Sequence, residues 1–536
     1  MSDQREAIRS NAKYLRNVRP IDPDEICEYV EGNPHPAVVR QHLREDAVDL
    51  RLVEREDGTF EPVPDEAIRP NRRPVTAFPS AYADALEEFL VDQYGVNWHE
   101  DATGDLLRST IRRFKASYLE RRPVEYDDDV AAGYAIYHLP AYYAAIQYAL
   151  EDLADRGLLD QTMRVLDIGA GVGGPALGLA DYVPEDALLD YHAIEPSAAA
   201  DVLEALLSET GRNVHTTVHE TTIEAFDPAT VTRDETADAA ATFDPTAADD
   251  GFDLILACNV LSELSDPEAV LRETLELLAP DGTLLAIAPA DKNTSVQLRD
   301  LERTLEDERV LAQSVFDDGH NGTDGDGGDD GDANETAAAT RRQRRQGTVT
   351  VYSPAVRLWP GERPSDRGWS FDVRPDLEVP PFQRNLDDAT PEHDDEHAPG
   401  EFINVDVQYS ASLLRLDGTR RIDVALETSD WAKMAEMDRH VTNRIDLAAA
   451  KLSHSLSAND DEYGQSRSNP VFKISDGSES IGHYAVLTNE TSLNRPLLEA
   501  EYGAILSFEQ ILVLWNDDEQ AYNLIVDEET IVDHVM

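Results

Sequence analysis

Two cysteines, Cys27 and Cys258, stand far apart in a chain of 536 residues. So few thiols exclude a disulfide framework and a zinc or iron–sulfur cage built from cysteine. Positive charge is also scarce: 46 lysines and arginines face 107 aspartates and glutamates, a formal net charge of −61. No apolar run reaches membrane length and no basic-then-apolar leader opens the chain, so a cytoplasmic protein with no membrane partner is expected. The acids are spread over every segment instead of gathered in a tail. That is the pattern of a proteome adapted to molar salt, where a hydrated acidic surface stays soluble. At molar salt the Debye length is about 3 Å, so global repulsion of nucleic acid is screened. Counterion release then drives little binding, and RNA contact rests on shape, stacking and local arginines.

The length implies three or four domains. Residues 1–70 read as three helices and a hairpin around an Asp-Gly turn, an order that resembles a winged helix. Arg40 and Arg44, one turn apart on the third helix, are placed for nucleic-acid contact. The alternative is a protein-docking module with a solvated charged face. "RPNRRPVTAFP", 69–79, is a Pro-rich linker. Residues 80–160 read as all-helical, with a basic cluster in "IRRFKASYLERR" and an aromatic-rich helix pair broken at Pro140. Its tyrosines suit a helix-face core better than base stacking.

From 161 to 316 strands and helices alternate, which implies a parallel, doubly wound sheet. The fourth strand leads to a helix ending at Gly282 and a fifth strand "TLLAIAPA"; an acidic loop at 227–250 interrupts the pattern. Residues 317–347 have the composition of a disordered acidic insert closing on a run of arginines at 341–345. A Trp/Pro-rich block follows at 348–384, then a second flexible insert at 385–400. Residues 401–536 alternate with period two, as in a small β-rich domain, perhaps a barrel, around one helix at 430–457.

The stretch "VLDIGAGVGG" carries the chemistry. An apolar strand ends in Asp167, and Gly169, Gly171 and Gly173 open the next helix. A glycine pattern alone is weak evidence for any one nucleotide. No Gly-Lys-Ser/Thr follows, so no lysine serves a β/γ-phosphate. Asp167 repels a pyrophosphate and suits a ligand carrying an ammonium group. Glu195, ending the next strand, is placed for a ribose diol. An adenosine ribose, a positive centre and no phosphate together describe S-adenosyl-L-methionine. The alternative is a Rossmann-like fold that has lost its ligand.

The motif resembles motif I of the class I S-adenosylmethionine-dependent methyltransferases. "YAIYHLPAYYAAIQYALEDL" before it, "NVLSEL" after the fourth strand and "VYSPAVRLWPGERPSDRGWSFDVRP" further on resemble blocks of a narrower family. This is the mitochondrial small-ribosomal-subunit methyltransferase-like family, which has bacterial and archaeal relatives; the chain looks like a halophilic archaeal-type member. The likeness spans roughly 80–375. It implies a Rossmann-like α/β fold, S-adenosyl-L-methionine as cofactor, and the small ribosomal subunit or its rRNA as partner. The family's eukaryotic members carry cysteines in and around the last block that hold an iron–sulfur cluster. Here Ala355, Val356, Arg357, Leu358 and Trp359 fill that turn, so no cluster is expected, and packing by Trp359 and Trp369 stands in for it.

For methyl transfer the protein contributes alignment and a dry site. Asn259 after the fourth strand is placed to orient an acceptor nitrogen, with Ser262 and Glu263 close by in sequence. The Asn/Asp-Pro-Pro-aromatic turn of amino methyltransferases is absent. Cys258 and Asn259 also border the expected donor site. Cys258 lacks the preceding proline and second cysteine of the enzymes that methylate pyrimidine carbon, so it reads as a small apolar residue. His192 and His215 show no metal spacing and read as structural. Three functions compete: a small-subunit factor or rRNA methyltransferase, a methyltransferase on tRNA, protein or a small molecule, and a donor-sensing nucleic-acid-binding regulator.

Overall fold

The computed structural model describes residues 2–120, 122–231, 251–311, 346–391, 394, 397–457 and 469–535. The arginine run and nearly all of the two acidic inserts lie outside these. The chain divides into two compact units: 1–241, 252–256 and 375–407 form the first, and 242–251, 257–374 and 408–536 the second.

The first unit opens with α1 (Ser2–Leu15), α2 (Pro23–Tyr29), α3 (Pro36–Glu45), α4 (Ala47–Leu50) and a ribbon of β1 (Leu52–Glu54) and β2 (Phe60–Pro62). The Asp22 side chain caps α2 by accepting the Asp24 N–H at 2.9 Å. Ile8, Ile26, Val39 and Leu43 close around Phe60. The structure places Arg40 and Arg44, the two arginines the sequence offers for nucleic-acid contact, beside a carboxylate of the same module. Both turn to Glu54 of their own module: Arg44 grips it with two bonds, one at 2.8 Å, and Arg40 stands at 3.8 Å. Glu54 is buried, and a buried carboxylate demands such partners. Its N–H also donates to Asn213 at 2.7 Å, tying the module to the sheet that follows.

Three helices come next: α5 (Ser80–Tyr94), α6 (Asp101–Leu119) and α7 (Asp128–Ala154). The break expected at Pro140 does not occur, and α7 runs through it. Proline removes one N–H and leaves the carbonyl four residues back without a helical partner. That carbonyl, on Ile136, accepts a hydrogen bond from the Gln383 side chain at 2.8 Å. Gln383 lies on a helix at Pro381–Asp388, so the flexible insert expected from 385 begins instead as ordered structure. Asp387 accepts the N–H groups of Gly400 and Phe402 at 2.8 and 3.0 Å. Arg112, from the basic cluster, binds Glu401 at 2.6 Å and Asp394 at 2.9 Å.

The parallel strands are β3 (Thr162–Ile168), β4 (Leu188–Ile194), β5 (Val214–His219) and β6 (Phe252–Cys258), with α8 (Gly174–Tyr182) and α9 (Ala199–Leu207) between them. Their order is β6-β3-β4-β5, with Asp167 beside Ala193 and Leu256. Helix α8 lies hard against α7. A Cβ at Gly178 would stand 2.4 Å from the Tyr143 carbonyl, and one at Gly174 2.8 Å from the Tyr142 Cβ.

The second unit holds α10 (Pro267–Leu275), β7 (Leu278–Pro289), α11 (Lys292–Leu305) and the short strands β8 (Arg309–Leu311), β9 (Gln346–Thr348), β10 (Thr350–Ser353) and β11 (Asp372–Arg374). The helix expected to reach Gly282 stops at Leu275, because Leu278 and Ala279 are buried as the start of β7. Strand β12 (Val407–Arg415) runs antiparallel to both β7 and β10. Trp359 is buried and donates to Asp476 at 2.7 Å. Trp369, expected to pack, is 41% exposed; its indole bonds the Ala290 carbonyl at 2.7 Å.

The C-terminal strands are β13 (Arg444–Lys451), β14 (Val471–Ser475), β15 (His483–Leu487), β16 (Ile505–Asn516), β17 (Ala521–Val526) and β18 (Ile531–His534). They pair in the order β13-β14-β15-β17-β16, and β16 returns to β13, closing a barrel of five strands. The expected helix at 430–457 is absent. A short 3₁₀ turn, Met434–His440, precedes β13. Along β13, Ile445, Leu447 and Ala449 enter the barrel core while Ala448 and Ala450 pack against Leu358 and Trp359. Burial on both faces at period two overrides the helix propensity of the alanine run.

Replacing Gln383 by leucine leaves the Ile136 carbonyl unsatisfied. A loss of about 1–3 kcal/mol is expected, read by chemical unfolding in molar KCl.

Candidate functional site

Strand β3 delivers Asp167 to its buried end, and the loop at 169–173 turns into α8. The loop is tight: Gly169, Gly171 and Gly173 have φ of +63°, +55° and +91°, values that side chains resist. Asp167 is fully buried. The Tyr191 hydroxyl donates to its Oδ2 at 2.6 Å, while its Oδ1 has no partner among the described residues. Burial raises this carboxyl to about 7 against the pull of the Tyr191 bond, and the charge of Glu195 pushes the same way.

Glu195 follows β4 and is itself buried. Its Oε2 accepts the Gly171 N–H at 2.8 Å. Its Oε1 accepts the Ser197 N–H at 3.0 Å and the Ser197 hydroxyl. One carboxylate thus fixes both the glycine loop and the turn after β4. The structure therefore brings Asp167, Gly169, Gly171, Gly173 and Glu195 together on adjacent strand ends. Tyr191 and Ser197 also belong to this set. Sequence reasoning passed over both; β4 is buried on nearly all its residues, so no alternation marks out Tyr191.

In the second unit, Cys258 is buried at the end of β6. Asn259 follows with φ +60°, a strained value for a side-chain-bearing residue. Its N–H donates to the Ile287 carbonyl at 2.7 Å. The side chain is 6% exposed, and its Oδ1 has no partner among the described residues. Leu261, Ser262, Pro289, Thr294 and Gln297 line a small pocket with it. Glu263 is exposed in the turn beyond, where its N–H donates to Val260 at 2.9 Å.

The remaining singled-out groups are packing. Tyr134 and Tyr143 are buried on α7. His138 stacks on Tyr142 at 5.2 Å, and burial holds it at about 3, hence neutral. His192 and His219 face each other at 3.1 Å across β4 and β5. Among the described residues no group of three His, Cys, Asp or Glu could hold a metal ion, and no helix is long and apolar enough to cross a membrane.

Residues 166–284 match the methyltransferase domain family. The sheet of strands, glycine loop and acid just described is a Rossmann-like domain of the class I methyltransferase type. Residues 5–56 and 435–535 match the N-terminal and C-terminal domains of one family of unknown function, DUF8157. No curated protein matches the chain. Among solved structures, a Methanococcus maripaludis protein assigned to the S-adenosyl-L-methionine-dependent methyltransferases is 13% identical, with 31% of this chain and 65% of that one covered and a TM-score of 0.23. The mitomycin 7-O-methyltransferase MmcR is 17% identical over 56% of this chain and 80% of its own, with a TM-score of 0.21. A SAM-dependent O-methyltransferase from Thermotoga maritima is 18% identical over 27% and 44%, with a TM-score of 0.19. MmcR aside, this chain spans 65% or less of the length of these proteins.

The raised Asp167 has a consequence for stability. Its folded value lies above the ordinary carboxylate value of 3.8, so folding favours the protonated form. That contribution is complete below about 3.8 and is lost as pH rises to about 7. Asp167→Asn is expected to lack this decline, so the two unfolding profiles diverge between those pH values in denaturant melts.

Proposed function

We propose that this protein is an S-adenosyl-L-methionine-dependent methyltransferase that acts on the RNA of the small ribosomal subunit. The observation that carries the donor is the pair of buried acids on adjacent strand ends. Glu195 already holds the glycine loop and the Ser197 hydroxyl, a bond it can exchange for those of a ribose. Asp167 keeps one oxygen unpartnered, as an ammonium group requires. Gly169, Gly171 and Gly173 let the backbone approach the methionine part closely. The donor, when bound, supplies a sulfonium methyl open to in-line displacement.

On the acceptor side, Asn259 offers an unpartnered amide oxygen, which takes an N–H and so orients an amine. Glu263, exposed in the following turn, is the carboxylate we assign to the proton the amine gives up. The ribosomal acceptor is supported by the likeness of residues 134–153, 259–264 and 351–375 to the small-subunit family. The cytoplasm is the compartment that fits this acceptor.

The test uses full-length protein, radiolabelled donor and molar KCl. Small subunits from a strain lacking the gene are expected to take up label, and wild-type subunits are not. Binding to immature subunits without label would replace this reading with an assembly factor that uses the donor as a structural ligand. Neither label nor binding would favour another acceptor or a regulator. Asp167→Asn and Glu195→Gln are each expected to weaken donor binding about tenfold or more, roughly 1.4 kcal/mol, in equilibrium dialysis. For Asp167 the wild-type affinity should rise with pH through about 7, as the carboxylate forms, and the asparagine variant should not follow it.

A further inference from the structure

A second cavity lies within the first unit. It measures about 470 Å³ and is formed by the strap at 66–73, Gln161 just before β3, and Tyr182, Pro184 and Asp186 beyond α8. Gln161 precedes the first residue of β3, while Asp167 sits near its last. Six residues of strand put about 20 Å between them, so the cavity is separate from the glycine loop. Nothing in the methyl-transfer reading uses it.

Its walls and polar groups are sorted. Ile68, Pro70, Pro184 and the Tyr182 ring supply flat apolar surface. The Gln161 Oε1 is buried with no hydrogen-bond partner among the described residues. Tyr182 is 6% exposed, with the Asn71 backbone and the Glu151 carboxylate beside its hydroxyl. A buried unpaired acceptor is costly to the fold, a cost that a ligand N–H recovers. At the mouth stand two arginines of the strap. Arg69 is paired with Glu66 at 3.1 Å on the exposed surface. Arg73 is exposed, with no ion pair among the described residues. The third, Arg72, is turned away to Asp155 at 2.9 Å. The lining sets these two arginines against two acids, Glu66 and Asp186, so it is balanced in charge where the chain as a whole is strongly acidic. Asp186 adds an acceptor suited to sugar hydroxyls.

We propose that this cavity binds a nucleotide unit with an amino-bearing base. The ring lies between Tyr182 and the prolines, its exocyclic amine donates to Gln161 Oε1, and its phosphate meets Arg73 and Arg69. Binding here is independent of methyl transfer. The nucleotide is either free or part of a single-stranded RNA, two sources of one chemistry.

The test is equilibrium dialysis of the full chain in molar KCl with adenosine monophosphate and with purine riboside monophosphate, which differs only in lacking the amine. Adenosine monophosphate is expected to bind saturably and about tenfold more tightly than the analogue. Gln161→Leu should erase that difference. Arg73→Ala, at an exposed position with no partner to lose, should weaken both ligands several-fold without altering donor binding. A short adenine-rich RNA competing far better than the mononucleotide identifies RNA as the source; equal competition identifies the free nucleotide. No saturable binding of adenosine monophosphate, or equal affinity for the two nucleotides in the wild-type chain, overturns the proposal. Failure of methyl transfer leaves it standing, because these readouts involve no donor.

Discussion

The close approach of α7 to α8 constrains everything around the glycine loop. Gly174 and Gly178 remove the two Cβ atoms that would keep the helices apart. The first turn of α8 therefore rests on the backbone of α7. Helix α7 must be continuous to serve as that platform. Its continuity depends in turn on Gln383, which replaces the hydrogen bond Pro140 cannot make. A side chain more than two hundred residues away along the chain thus supports the position of a five-residue loop. The loop is then locked from the other side by Glu195.

Buried acids recur as fixed points, and arginine is their usual partner. Glu54 gathers Arg44 and Arg40 in the N-terminal module. Glu306 in the second unit takes Arg357 at 2.9 Å and Arg420 at 2.6 Å. Asp366, fully buried, has Arg299 at 3.5 Å and Lys473 at 3.4 Å. Scarce basic residues are thus spent on neutralising buried acids. Asp167 differs from these three acids: burial raises its proton affinity, and no cation among the described residues offsets that.

The glycine loop, the two acids and the parallel strands were legible because each follows from local chemistry. Strand, acid, glycine and helix occur within a dozen residues of each other, and the apolar periodicity is clean. What escaped the sequence depends on distant contacts. Nothing near Pro140 announces that Gln383 will satisfy Ile136. Nothing near Arg40 and Arg44 shows that Glu54 will be buried beneath them. The run "IDLAAAK" has the propensity of a helix, and only burial on both faces makes it a strand. Tyr191 and Ser197 were missed for a related reason, since their importance lies in which carboxylate each one meets.

The barrel at the C-terminus closes on itself when β16 returns to β13, and β18 covers part of β16. A sheet with a long open border offers unpaired N–H and C=O groups to any neighbour. Concentrated salts of the strongly hydrated kind tighten apolar association, so such borders become stickier as the solvent becomes saltier. Charge repulsion, the common defence against clumping, is short-ranged in brine. A closed ring of strands needs no such defence. The pairing of β16 with β13 leaves the ring of β13, β14, β15, β17 and β16 without an open border onto which another copy could pair.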